Sequence, residues 1–261
     1  MFNSYNELKR TLGEYDCIVE LKELILLNFD RTINLDSNPV DCIRKISEKE
    51  KIFFNPNSYP EAKRLIKHSY ISLAYSAFDD FLKILKDELT TVYDFKNSGN
   101  TKGLTDIDQI NQIIYENTGK EVLSEIGSLD YFIIEHYRKI RNEFIHPSIK
   151  KKEPINFILG TRYEIQYTEK YPKHLLLIDD RKITIEFDDF ILLSMAIKNY
   201  AYDICNLAEP NDEYYKIKID KDKYIRYINN NKRYVNSIAQ FLVTEYNLKT
   251  DKAKRIAEYF L

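Results

Sequence analysis

Glycine and proline are scarce in this chain, with 6 and 7 residues among 261. Tight turns depend on these two residue types, and sandwiches and barrels built from short strands need many such turns. The shortage therefore disfavours an all-β architecture and favours long helices. The length is enough for one large domain, or for one domain with appended segments.

Cysteine is also rare, and the three cysteines, Cys17, Cys42 and Cys205, lie far apart in the sequence. No CxxC motif and no Cys/His cluster occurs, so neither a structural zinc site nor a framework of disulfides is predicted. We expect reduced, buried thiols. Because glycine-rich phosphate loops and HExxH motifs are absent from the sequence as well, we expect no cofactor and no metal site.

Long apolar runs and a large charge of one sign are lacking too. No run approaches the roughly 20 residues that cross a bilayer. The N-terminus carries Asn3, Glu7 and Lys9 where a signal peptide would be apolar. We therefore expect a cytoplasmic protein without membrane contact. Because the formal net charge is only -2, any surface that binds nucleic acid must be a local one.

Apolar residues recur at helical spacing over most of the chain. This pattern predicts helices over 3–29, 38–51, 61–91, 106–117, 128–146, 188–208, 221–230, 232–246 and 250–260. The residues of the first helix that we expect to face inward are Leu8, Leu12, Tyr15, Val19, Leu24 and Leu27. Several stretches between 148 and 187 instead alternate with period two, which predicts a small antiparallel sheet.

These elements predict a mainly α fold made of a four- to five-helix bundle with additional helices on both sides. The bundle core spans 59–209 and contains a loop and a β-hairpin or small sheet as an insertion at 148–187. A helical segment at 1–58 precedes this core, and a helical tail at 210–261 follows it. Turn-rich stretches mark both boundaries.

The end of the helix over 128–146 carries residues suited to RNA cleavage. Its last six residues, Arg141–His146, read RNEFIH and are called the hexad below. Without a metal, RNA is cut when a base removes the proton of the 2′-OH and an acid protonates the leaving 5′-oxygen. Histidine suits this transfer because its pKa is near neutrality. The planar guanidinium of arginine matches phosphate oxygens. Asn142 and His146 are four residues apart and share one stripe of the helix.

A local positive patch surrounds the hexad. Its basic residues lie within fifteen positions and are Arg138, Lys139, Arg141, Lys150, Lys151 and Lys152. Arg138 also lies on the stripe of Asn142 and His146. We expect Arg138, Lys139 and the three lysines at 150–152 to bind RNA phosphates.

The order Arg-Asn-x-x-x-His resembles the signature of HEPN domains, which are mostly bundles of four or five helices. HEPN domains are common in prokaryotic toxins, abortive-infection proteins and CRISPR-linked nucleases. The resemblance implies that Arg141 contacts the scissile phosphate, that Asn142 shapes or polarises the site and that His146 transfers a proton. It also implies a homodimer in which two such helix ends face each other across one groove.

On this resemblance the chain is a metal-independent endoribonuclease in phage defence or a toxin system, with RNA as its substrate. An antitoxin or a defence-system protein could be a further partner. One toxin subgroup of the family has a tyrosine two residues after the histidine, and its antitoxin nucleotidylates that tyrosine. Here the position holds Ser148, so control by that modification is not predicted.

Two alternatives stay open. The bundle could be a non-catalytic HEPN-like module that binds RNA, a nucleotide or a partner protein through the same basic helix end. It could also be a purely structural interaction protein. The remaining histidines are weaker candidates for the site: we expect His68 at the surface and His174 in a structural role, whereas His136 could approach the groove.

Overall fold

The computed structural model describes residues 2–94, 104–145, 169–171, 185–246 and 248–261. Within these ranges the chain forms helices and no strand. The prediction of a mainly α fold is therefore confirmed. The predicted β insertion at 148–187 lies almost entirely outside the described residues and stays a prediction.

Ten α-helices and two short 3₁₀ segments make up the described part of the chain. The α-helices are α1 (Asn3–Asn34), α2 (Pro39–Lys49), α3 (Tyr59–Val92), α4 (Asp106–Thr118), α5 (Val122–Ile126), α6 (Leu129–Ile145), α7 (Phe187–Leu207), α8 (Asp212–Ile217), α9 (Asn231–Tyr246) and α10 (Thr250–Glu258). The 3₁₀ segments are Pro56–Ser58 and Lys221–Tyr227. The second of these replaces the α-helix predicted over 221–230, and the short helices α5 and α8 are not among the predicted elements.

The ends of α4 show how local sequence sets a helix. The Thr105 hydroxyl accepts a hydrogen bond from the Asp108 backbone N–H, and the Asp108 carboxylate accepts one from the Thr105 backbone N–H at 3.0 Å. This reciprocal arrangement satisfies two backbone donors that the helix leaves unpaired. At the other end Gly119 adopts a φ of 70°, a left-handed conformation that glycine takes without strain.

Replacing Thr105 by alanine should lower the free energy of unfolding by about 1 kcal/mol, because the cap is lost. Urea denaturation measures this change. Gln112→Ala in the exposed middle of α4 is the matched control and should change stability by less than about 0.5 kcal/mol. Equal losses in the two variants would show that the capping contacts do not stabilise α4.

The chain divides into two compact units. The first, called the bundle unit, comprises Arg10–Phe78 and Leu129–Lys198. The second, called the terminal unit, comprises Met1–Lys9, Asp79–Ser128 and Asn199–Leu261. The three predicted segments, with boundaries after residues 58 and 209, group the chain differently and stay a prediction.

In the bundle unit, polar contacts show that α1 and α3 run antiparallel. Asp30 near the end of α1 accepts hydrogen bonds from the Tyr59 hydroxyl at 2.7 Å and the Lys63 ammonium at 2.5 Å. Two turns earlier on α1, Glu23 accepts a hydrogen bond from the Tyr70 hydroxyl at 3.2 Å. These partly buried contacts fix the register of the two helices, while the core beside them is apolar.

One face of α1 is buried, and it differs from the predicted face at its second half. From Leu12 onward the buried residues of α1 are Leu12, Val19, Leu26 and Ile33, which follow each other at seven-residue spacing. Leu24 and Leu27 are instead 64% and 44% exposed, so the prediction for these two leucines is wrong. With about 100° of rotation per residue, Leu24 lies on nearly the opposite side of the helix from Leu26.

The cysteines differ in exposure. Cys205 is buried, Cys42 is intermediate and Cys17 is exposed on α1. The expectation of buried thiols is therefore correct for Cys205 and wrong for Cys17. Burial raises the pKa of the Cys205 thiol, which keeps it in its unreactive protonated form.

The terminal unit has a separate apolar cluster near the C-terminus. It brings together the short helix α8, the second 3₁₀ segment, α9 and α10, and its fully buried members include Ile238, Leu242, Ala253 and Ala257. The segment predicted as a helical tail thus contributes a cluster of buried residues of its own.

Candidate functional site

The first five residues of the hexad form the last described turn of α6, in the bundle unit. Five apolar residues earlier on this helix are buried, namely Leu129, Ile133, Ile134, Tyr137 and Ile140. Their burial fixes α6 in the unit. His146, Lys150, Lys151, Lys152, Ser148 and His174 lie outside the described residues, so their predicted roles stay predictions.

Arg141 is half-buried and contacts α3. Its guanidinium carbon lies 5.1 Å from the ring centroid of Tyr75, which is itself 7% exposed. A guanidinium at this distance from an aromatic ring is attracted by the ring's negative face. The Arg141 Nη1 group also donates a hydrogen bond to Asn142 Oδ1 at 3.5 Å. The described structure thus brings together two of the three predicted catalytic residues.

The next contact between α3 and α6 joins His68 to Phe144 within the hexad. The two rings stack with centroids 4.7 Å apart and planes 12° apart. His68 is only 7% exposed, so the prediction that it lies at the surface is wrong. Burial lowers the pKa of His68, and the positive charge of Arg64 lowers it further. Because the Arg64 Nη1 atom lies 3.3 Å from His68 Nε2, the imidazole can accept that hydrogen bond only when it is neutral.

His68 and Tyr75 together hold the hexad against α3, although neither is among the predicted site residues. They are seven residues apart on α3 and therefore share one face of that helix. Because the later residue of α3 contacts the earlier residue of α6, the two helices run antiparallel. The sequence signal that could reveal this pair is a polar and an aromatic residue at heptad spacing on an otherwise apolar stripe.

Two further basic residues of the predicted patch lie on α6, and they differ in their surroundings. Arg138 donates from Nε to both carboxylate oxygens of Glu135 at 2.9 Å. Its charge is thereby largely balanced one turn before the hexad. Lys139 is half-exposed and forms no ion pair with any residue in the described ranges. Contact with RNA phosphates stays a prediction for both, and for Arg138 it would compete with Glu135.

The opposite side of α6 is anchored to the start of α7. The Tyr137 hydroxyl donates to Asp189 Oδ1 at 2.6 Å, and Asp189 Oδ2 accepts from the Glu186 backbone N–H at 2.7 Å. Burial raises the pKa of Asp189. Asp189 therefore satisfies the backbone donor that precedes the first turn of α7, as in a capping box, while it also binds α6.

Glu186 and Lys67 add an ion pair between α7 and α3 beside this cap. The Lys67 ammonium also lies 4.0 Å from Glu23 on α1. Because Lys67 is buried between carboxylates from α1 and from the residue before α7, it fixes the relative position of these elements and is withheld from any ligand.

His136, the histidine that lies within the described part of α6, is mostly buried. Burial lowers its pKa to about 4, with a smaller contribution from Lys139. Its ring meets that of Tyr137 edge-on, with centroids 5.1 Å apart. Because its pKa is this low, His136 is neutral at pH 7 and suits a structural role better than proton transfer in the groove.

The low pKa of His136 predicts acid sensitivity. The unfolded chain binds the proton near pH 6.5 and the folded chain only near pH 4, so stability is lost as pH falls between these values. The free energy of unfolding should be lower by about 2–3 kcal/mol at pH 4.5 than at pH 7. His136→Gln, which cannot be protonated, should lose less stability between pH 7 and pH 4.5 than the parent chain in urea denaturation. Identical losses in the two proteins would contradict the buried neutral state.

None of the described helices combines the length and apolar character needed to cross a bilayer. Among the described residues no group of three or more His, Cys, Asp or Glu side chains is placed to hold a metal ion. Comparisons with protein-family models, curated proteins and solved structures give no match to this chain.

Proposed function

We propose that this chain is a metal-independent endoribonuclease of the HEPN type, with Arg141, Asn142 and His146 as catalytic residues. The observation that carries the proposal is the placement of Arg141 and Asn142. They are adjacent on the last described turn of α6, with the guanidinium and the amide oxygen 3.5 Å apart. His146 follows Asn142 by four residues in the sequence.

The chemistry assigned to the three residues conserves atoms and protons. A base takes the proton of the 2′-OH, the 2′-oxygen forms a bond to phosphorus and the bond from phosphorus to the 5′-oxygen breaks. An acid then protonates the leaving oxygen, which yields a 2′,3′-cyclic phosphate and a 5′-hydroxyl. Arg141 balances the charge that builds on the phosphate oxygens. Asn142 orients or polarises the site, and His146 acts as acid or base.

One cleavage event needs both an acid and a base. Because His146 can act as only one of them, a second group is required. In this proposal a second copy of the chain supplies it, so that two hexads face one RNA-binding groove. The segments of α1, α3, α6 and α7 in the bundle unit support a HEPN-like bundle as part of the proposal. Lys139 and the lysines at 150–152 would bind the RNA backbone.

Incubation of the purified full chain with mixed-sequence RNA in the presence of EDTA tests the activity. The proposal predicts cleavage by the parent chain and none by His146→Ala. Arg44→Ala, an exposed arginine on α2, is the matched control and should cleave as the parent does. Intact RNA at high protein concentration, together with measurable binding, would favour the non-catalytic binding module. Cleavage that survives in His146→Ala would place the chemistry elsewhere.

We also propose a role in phage defence or a toxin system, which rests on the resemblance to HEPN proteins. Induced expression in a bacterial host should arrest growth, because uncontrolled RNA cleavage stops protein synthesis. The His146→Ala variant at equal protein level should permit growth. Equal growth arrest by both forms would show that toxicity does not depend on the hexad.

A further inference from the structure

A cavity of about 660 Å³ lies within the terminal unit, apart from the hexad. Its wall is formed by the start of α1, the last turns of α3, the link after α7, α8 and the end of α9. Cavities of about 300–1,000 Å³ are typical of sites for small organic molecules. The residues that line it indicate which class of molecule would fit.

The lining is acidic. Four carboxylates contribute to it, from Asp87, Glu88, Glu209 and Glu245, and no lysine or arginine is among the described residues that line it. Low-dielectric walls that carry charge of one sign concentrate ligands of the opposite sign. The cavity therefore favours a cation.

Two of these carboxylates are already engaged. Glu88 accepts hydrogen bonds from the backbone N–H groups of Asn3 and Ser4, at 2.9 Å and 3.2 Å. Glu209 lies 3.3 Å from the ammonium of Lys252. Their negative charge is thus partly balanced by the protein itself.

Asp87 and Glu245 are the other two carboxylates that line the cavity. Asp87 lies on α3 and Glu245 on α9, and neither side chain forms an ion pair or hydrogen bond with another residue of the described ranges. Both are exposed, so a ligand can reach them from solvent. Two carboxylates on separate helices provide two positions for positive charge.

Three tyrosines form an aromatic corner in the same wall. The rings of Tyr214, Tyr215 and Tyr246 are mutually near-perpendicular, with centroids 5.2, 5.6 and 6.5 Å apart. Edge-to-face contacts of this kind are the ordinary packing of aromatic rings. A ring face that stays open to the cavity would attract an ammonium group. Burial raises the pKa of all three phenols, so their hydroxyls stay neutral.

The chain's own lysines illustrate that these rings accept ammonium groups. The Lys252 ammonium lies 5.0 Å from the Tyr215 ring centroid and donates to the Pro210 carbonyl at 3.3 Å. The Lys218 ammonium lies 5.4 Å from the centroid of Tyr214. These two lysines already cover faces of Tyr215 and Tyr214, so a ligand ammonium would use the other carboxylates of the cavity and the ring faces that the lysines leave open.

We propose that this cavity binds an aliphatic di- or polyamine. Asp87 and Glu245 provide one carboxylate for each of two ammonium groups, and phenol and carboxylate oxygens can accept hydrogen bonds from the N–H groups of such a ligand. Ile84, Val92 and Pro210 provide apolar contact for the methylene chain between the charges. The proposal is independent of ribonuclease activity, because every residue involved belongs to the terminal unit.

Isothermal titration of the full chain with spermidine at low salt tests the site. We expect saturable binding with one molecule per chain, weakened at least tenfold in Asp87→Asn and in Glu245→Gln. Glu258→Gln is the matched control, because Glu258 is exposed at the end of α10 and does not line the cavity. Absence of saturable binding, or equal affinity in the cavity variants and the control, would overturn the proposal.

Two further probes distinguish specific binding in the cavity from general attraction between charges. The neutral diol 1,8-octanediol should not displace spermidine, because it lacks the ammonium groups. Mg²⁺ at an equal concentration of positive charge should displace it only weakly, because Mg²⁺ keeps its water shell and gains nothing from the tyrosine rings. Displacement by Mg²⁺ as effective as by a second polyamine would show that the acidic surface alone attracts the ligand, which contradicts the proposal.

Discussion

Replacing Arg141 by alanine is expected to lower the rate of RNA cleavage by about 10²–10³-fold, the loss typical when one group that stabilises transition-state charge is removed. The free energy of unfolding should fall by no more than about 2 kcal/mol, the magnitude of a desolvated contact between a guanidinium and one aromatic ring. Single-turnover kinetics and urea denaturation on the same preparations separate the two effects.

Arg141→Lys is the informative companion variant. It retains the positive charge but loses the planar fork that matches two phosphate oxygens, so its rate should fall between those of the parent and Arg141→Ala. If Arg141→Ala instead unfolds at much lower denaturant concentration while its folded fraction cleaves normally, Arg141 is a structural residue that attaches α6 to α3.

Replacing Leu26 by alanine is expected to lower the free energy of unfolding by about 2–5 kcal/mol, because it leaves a cavity in the apolar core of the bundle unit. Leu24→Ala, two residues earlier on α1, should change stability by less than about 0.5 kcal/mol. The difference arises because Leu26 is 6% exposed and Leu24 is 64% exposed. Urea denaturation of both variants measures it.

This pair of leucines uses one substitution on one helix, so helix propensity and loss of volume are the same in both variants. Similar losses of stability would show that both faces of α1 are covered in the folded protein. A larger loss for Leu24→Ala would reverse the assignment of the buried face.

The buried face of α1 also shows where prediction from sequence reaches its limit. Leu8, Leu12 and Val19 are predicted correctly, yet the prediction then passes to Leu24 and Leu27. This helix carries exposed aliphatic residues on its other face as well, including Ile18, Leu21 and Ile25. Where both faces are apolar, periodicity predicts a helix but does not indicate which face the rest of the fold covers.

Long helices with one apolar stripe and clear caps were accessible from sequence, because these signals are local. The bounds of α3 and α4 agree with their predictions within about two residues. Helices α5 and α8 could not be predicted from the sequence, since five or six residues are too few to establish a helical period. The same limit applies to 221–230, where propensity does not distinguish an α-helix from a 3₁₀ segment.

For the candidate site, the hexad is a local pattern and could be found by spacing alone. The groups that hold the hexad could not be predicted, because Tyr75 and His68 belong to a helix distant in sequence and contact α6 only through packing. The pairing of Arg138 with Glu135 was accessible, since oppositely charged residues three apart on a helix attract each other. That pairing would weaken the RNA contact that is predicted for Arg138 from its position on the stripe.

The chemical ends of the RNA products test the proposed mechanism most directly. Cleavage by attack of the 2′-oxygen predicts 2′,3′-cyclic phosphate and 5′-hydroxyl ends, formed by the parent chain in EDTA and absent with His146→Ala. A single 2′-deoxy substitution at the cleaved position should block the cut at that site. Products with 3′-hydroxyl and 5′-phosphate ends, or cleavage that continues at the deoxy position, would contradict the proposed role of the hexad.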